Sequence, residues 1–188
     1  MAEHNASAAY ADYTPLQRLA LLSWWLAQGE VVTLEKAAVV LGVTRDAAHA
    51  QLTDLIAVIP IAAEHDRWQR VTTSPMQQPP VTVDEQAALL AWLLALGGAL
   101  SNTDAGALIG TGSRQARRLL DKLALVLPVY YAAGLWRSCD DRPAYPAESG
   151  RCFYCGGVEV LTTGVVGGVR VLWCASCAGV YRALKGAR

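Results

Sequence analysis

Four cysteines toward the C-terminal end carry the most specific chemistry in the chain. They read Cys152-Phe-Tyr-Cys155-Gly-Gly and Cys174-Ala-Ser-Cys177-Ala-Gly, two CxxC pairs with 18 residues between them. A CxxC turn followed by small residues lets two thiolates converge on one ion. Four thiolates then close a tetrahedral shell of the kind that holds structural zinc. The apolar stretches 158–161 and 169–173 are expected to be two strands, with Gly164 to Gly168 at their turn. The expected unit is a four-cysteine zinc ribbon over residues 151–180, too small to fold without one structural Zn2+ ion. A redox or disulfide pair is the competing reading, and the symmetry of the two pairs favours a metal. A closed shell leaves no position for water, which argues against a catalytic ion. The sequence also has no histidine-x-glutamate segment of the zinc deaminase type. Zinc rather than iron is inferred from the ligand set. Cys139 stands outside the pattern and is read as a linker thiol.

The elements that precede this site come in two copies. Residues 14–69 align with 82–137 at a constant offset of 68, and sixteen of the 56 positions are identical. Among the identical pairs are Trp24/Trp92, Gly29/Gly97, Gly42/Gly110, Ala48/Ala116, Leu52/Leu120, Pro60/Pro128 and Trp68/Trp136. A gapless match of that length means one structural unit used twice. In each unit a first helix carries Ala20, Leu21, Trp24 and Ala27, or Ala88, Leu89, Trp92 and Ala95, at the spacing of a single helical face. Gly29 and Gly97 follow it. Thr33 and Ser101 are suited to cap a second helix, without completing a capping box. Gly42 and Gly110 end that helix. A third helix starts near Thr44 or Ser113 and stops before Pro60 or Pro128. The apolar alternation from Ile59 to Trp68, and from Leu127 to Trp136, suits a small β-hairpin.

The spacing inside helices two and three points to a helix-turn-helix. Such a unit needs a small residue, a glycine four positions on and a small residue six beyond, because the helices cross closely and the turn is left-handed. Ala38, Gly42 and Ala48 satisfy this in the first copy, and Gly106, Gly110 and Ala116 in the second. The N-terminal part of a recognition helix enters the major groove of double-stranded DNA. The first copy would present Thr44, Arg45 and His49, together with Asp46. The second would present Ser113, Arg114, Gln115, Arg117 and Arg118, with Lys122 further along. Arginine can bond guanine edges bidentately or grip phosphates. The second set therefore suits DNA better, since Asp46 and Asp54 in the first would repel phosphate. A merely solvated helix face is the alternative for both. The tryptophans of the inward stripe and of the hairpins are expected in the core, and Trp25 is expected to be the exposed one.

Composition sets the wider bounds. Of the 188 residues 53% are hydrophobic and 17% charged, and the formal net charge is zero. That balance argues for folded domains and against indiscriminate nucleic-acid binding. Residues 1–13 lack the basic and apolar regions of a secretory signal. The longest apolar run, Ala87 to Leu96, falls short of the roughly 20 residues that span a bilayer. A cytoplasmic protein with no membrane partner is expected. Neither a nucleophile elbow nor a GxxxxGK[ST] phosphate loop occurs. The chain is therefore not expected to be an enzyme, and RNA binding would want exposed aromatics.

The segment Thr14-Pro-Leu-Gln-Arg-Leu-Ala-Leu-Leu-Ser-Trp-Trp, with 34–50 after it, resembles the CaiF/GrlA family of bacterial transcription activators, and 82–137 resembles it more faintly. The CxxCGG…CxxC segment resembles the cysteine region of FlhC-type activators. Both resemblances imply transcription activation. The expected architecture is mainly α with small β. A tail (1–13) precedes the first winged helix-turn-helix unit (14–70) and a linker (71–81). The second unit (82–137), a linker (138–150), the ribbon (151–180) and a basic tail (181–188) follow. The expected function is sequence-specific DNA binding by a transcription regulator. RNA polymerase or another regulator is the expected protein partner, and a homodimer is compatible with the pattern. The alternative is a protein-interaction adaptor that makes no DNA contact.

Overall fold

The computed structural model describes residues 10–71, 78–139, 150–152, 158, 161–166, 169–175 and 177–178. The described chain is mainly helical with small antiparallel sheets. Its first helix, α1 (Pro15–Ala27), starts from a capping box. The Thr14 hydroxyl accepts from the Gln17 amide, and the Gln17 side chain accepts from the Thr14 amide. Proline at the first helical position has no N–H to leave orphaned there. The matching helix of the second copy, α4 (Val83–Ala95), has the same box from Thr82 and Glu85. The sequence reading missed both boxes.

The rest of each copy follows one plan. In the first, β1 (Val32–Thr33) leads into α2 (Leu34–Leu41), a turn at Gly42, α3 (Arg45–Leu55), and the hairpin β2 (Ile61–Glu64) and β3 (Arg67–Arg70). In the second, β4 (Leu100–Ser101) leads into α5 (Asn102–Leu108), a turn at Gly110, α6 (Ser113–Leu123), and the hairpin β5 (Val129–Ala132) and β6 (Leu135–Ser138). Thr33 and Ser101 cap their helices as expected, accepting from the amides of Lys36 and Asp104. Gly42 and Gly110 sit at φ of 71° and 68°. That is the left-handed region, where a side chain is strained.

Equivalent positions make equivalent contacts. The middle strand of each three-stranded sheet is the second strand of the hairpin, so the orders are β1-β3-β2 and β4-β6-β5. Val32 pairs with Trp68 in one sheet, and Leu100 with Trp136 in the other. Arg18 and Gln86 also occupy matching positions. Arg18 Nη1 donates to the Leu41 carbonyl at 3.3 Å, and Gln86 Nε2 to the Ile109 carbonyl at 3.0 Å. Each first helix thus caps the open C-terminal end of the second helix in its own copy, where carbonyls lack intrahelical partners. The short strands β1 and β4 are too brief to leave a periodic signal.

Helices α1 and α4 form the most extensive helix–helix packing in the described chain. Gln17 Nε2 also donates to the Lys122 carbonyl at 3.0 Å, tying α1 to the end of α6. This packing corrects the expected single inward stripe. Ala20, Trp24 and Ala27 are buried, but so are Leu22 and Leu26, while Leu21 is half-buried. In α4 every residue from Gln86 to Leu94 is buried. A helix covered on two sides needs apolar residues all round. Trp25 is half-buried rather than open, with Tyr10 packed edge-on at 6.1 Å and the Lys36 ammonium 4.6 Å over its ring. The other three expected core tryptophans, Trp68, Trp92 and Trp136, are buried.

A separate antiparallel hairpin, β7 (Leu161–Val166) and β8 (Val169–Cys174), lies in the cysteine region. Of the expected first strand, Leu161 lies in β7 and Val158 does not, while 159 and 160 lie outside the described residues. Gly164 lies within β7 opposite Val171, not in the turn. Val166 already pairs with Val169, so the strands run to within two residues of each other and absorb the glycine. No helix among the described residues is long and apolar enough to cross a membrane.

Candidate functional site

Helix α6 brings six of the sequence-selected residues onto one surface. Ala116, Leu119, Leu120 and Leu123 are buried and anchor the helix. Ser113, Arg114, Gln115, Arg117, Arg118 and Lys122 are all exposed. Their helix begins at Ser113, one residue after its N-cap Gly112, which offers no side chain to the free amides. The guanidinium of Arg117 stacks 4.7 Å over the Tyr131 ring and stands 3.7 Å from Asp121. Tyr131 packs at 5.1 Å on Trp136, whose indole N–H donates to Asn102 Oδ1 at 2.9 Å. Asn102 Nδ2 in turn reaches the Tyr131 hydroxyl at 3.5 Å. The sequence reading missed Tyr131 and Asn102. The signal available was a polar and an aromatic residue in the second copy where the first has Leu34 and Ala63.

Helix α3 presents its candidates differently. Ala48, Leu52 and Leu55 are buried, and Thr44, Arg45 and His49 are exposed. The Thr44 hydroxyl is occupied as the cap, accepting from the Ala47 amide at 3.3 Å. Arg45 is held by two carboxylates, Glu35 at 2.9 Å and Asp66 at 3.1 Å. His49 packs edge-on against Trp68 at 5.7 Å. The Trp68 indole nitrogen is buried without a hydrogen-bond partner, because Leu34 stands where the second copy has Asn102.

Three cysteines form the third cluster. Cys152, Cys174 and Cys177 are buried, and their sulfurs lie within 4.8 Å of one another. Cys174 closes β8, and Cys177 follows three residues on where the chain turns helical. Thiolates at about 2.3 Å from a tetrahedral ion sit roughly 3.8 Å apart, so this arrangement could hold a metal ion. None of the described cysteines forms a disulfide. Cys155, the fourth expected ligand, lies outside the described residues. Cys139 is exposed and apart from the cluster.

Comparison with known proteins gives no match to any family model, curated protein or solved structure.

Proposed function

We propose that this protein is a sequence-specific DNA-binding transcription regulator, built from two tandem winged helix-turn-helix units and a structural zinc ribbon. The observation that carries this reading is the α6 surface. Three arginines and a lysine project from one helix whose opposite side is locked into the core. The helix follows a glycine turn behind a second helix, and a hairpin flanks it, which is the arrangement that offers a recognition helix to the major groove. Arg114 and Arg118 suit guanine edges or phosphates, and Ser113, Gln115 and Lys122 suit neighbouring polar contacts.

The cysteine cluster supports the metal half of the reading. Zn2+ fits three buried thiols within contact of one ion, with Cys155 as the fourth ligand. Its role is structural, joining the chain around Cys152 to the end of β8, and no enzymatic step is assigned to it. RNA polymerase or another regulator is the protein partner of this reading. One observation favours the adaptor alternative: the Arg45 charge is already taken by Glu35 and Asp66.

The test is fluorescence anisotropy of the zinc-loaded chain on promoter and random duplexes across a salt series. Binding to DNA through arginine and lysine releases counterions, so affinity must fall linearly on a log–log plot as salt rises. Promoter-selective binding with that slope supports the regulator. A folded, zinc-loaded chain that binds no duplex sinks it and leaves the adaptor.

A further inference from the structure

The two copies share a fold but not a surface charge. Helix α3 carries one basic and two acidic side chains, whereas α6 carries four basic and one acidic. The difference is positional. Asp46 of α3 corresponds to Arg114, Ala50 to Arg118 and Asp54 to Lys122. Around the helix three further acidic groups are absent from the second copy, although Lys36 of α2 corresponds to Asp104 of α5. Glu35 corresponds to Thr103, Glu64 to Ala132 and Asp66 to Gly134. At five of these positions an acidic group of the first copy is neutral or basic in the second, and at the sixth the neutral Ala50 becomes Arg118.

The one arginine of α3 does not offset this. Arg45 is bound by Glu35 from α2 and by Asp66 from the tip of the first hairpin. A guanidinium already forked between two carboxylates has few donors left for a base edge. The phosphate backbone would meet Asp46, Asp54, Glu64 and Asp66, all exposed, with Glu35 beside them. Close approach of like charges disfavours the complex. Helix α6 itself carries a single carboxylate, Asp121, placed beside Arg117.

We infer that the two copies divide the work, so that α6 alone enters the major groove and the α3 face stays out of contact with DNA. One chain then reads one half-site. This inference rests on the DNA-binding reading above and narrows it. The first copy instead braces the second, through α1 against α4 and through the Gln17 bond to the Lys122 carbonyl.

The experiment compares four variants of the full zinc-loaded chain on a bound duplex: Arg114→Ala, Arg118→Ala, Arg45→Ala and His49→Ala. The α6 variants are expected to lose about tenfold or more in affinity for a base contact, or to flatten the salt slope by about one for a phosphate contact. The α3 variants are expected to stay within about twofold with an unchanged slope. Equal losses from Arg45→Ala would overturn the division of work while leaving DNA binding in place. Wild-type chain that binds no duplex at all would overturn the DNA reading, and this inference with it.

Discussion

Gly106 offers the sharpest test of how closely the second and third helices of the second copy cross. It lies inside α5, where alanine normally stabilises a helix by about 1 kcal/mol over glycine. Here a Cβ would stand 2.7 Å from the Thr111 carbonyl oxygen and 3.1 Å from both the Gly112 carbonyl carbon and the Ser113 amide nitrogen. All three are backbone atoms of the turn into α6, so no side chain can swing away. Relieving such overpacking costs about 1–3 kcal/mol. Set against the helix-propensity gain of about 1 kcal/mol, Gly106→Ala is expected to destabilise the chain by up to about 2 kcal/mol. For a chain of this size that lowers the thermal midpoint by roughly 2–4 °C per kcal/mol. Urea unfolding followed by circular dichroism measures it, with the midpoint falling and the slope unchanged. The equivalent position in the first copy holds Ala38. Ala38→Gly is expected to cost about 1–2 kcal/mol, from helix propensity and the loss of a buried methyl. A Gly106→Ala chain more stable than wild type would refute the close crossing, and with it the geometry that aims α6 outward.

Other perturbations probe the remaining contacts. Asn102→Leu strips the Trp136 indole of its acceptor and is expected to destabilise the chain by about 1–3 kcal/mol despite the added apolar surface, read by urea unfolding. Arg18→Ala removes donors to the carbonyls of Tyr13, Leu41 and Ala11. A loss of about 1–3 kcal/mol is expected, and no change in midpoint would count against the helix-end role. Tyr131→Ala takes away the ring under Arg117, worth about 0.5–1 kcal/mol at an exposed site, so duplex affinity should fall roughly two- to fivefold. Metal analysis should find one zinc per chain, and chelation should expose buried thiols to a thiol reagent. Cys152→Ser, Cys174→Ser and Cys177→Ser should each lower zinc content, whereas Cys139→Ser should not.

Much of this was legible because the chain repeats. The offset of 68 made Gly42 and Gly110, or Trp68 and Trp136, mutually supporting where one copy would be ambiguous. The caps at Thr33 and Ser101 were readable from local chemistry. The capping boxes at Thr14 and Thr82 were equally local and were overlooked. The missed stripe on α1 had a different cause, since it depends on α4 packing from the far side, and single-helix periodicity does not encode that. Arg45 looked like a reader because its type suits DNA. Glu35 and Asp66 are 10 and 21 residues away in sequence, and only the fold brings them to it. Two residues of the expected strand over 158–161 lie outside the described residues, and Leu161 itself pairs with Cys174. The cysteine spacing conveyed its chemistry directly, and the structure gathers three of the four.

Selection of bound sites from a randomised duplex pool tests the central claim most directly. The wild-type, zinc-loaded chain should enrich a defined sequence, and a chain carrying Arg114→Ala and Arg118→Ala should not, although it melts at the same temperature. Enrichment of no sequence by the folded wild-type chain, or the same sequence enriched by both chains, would contradict the account.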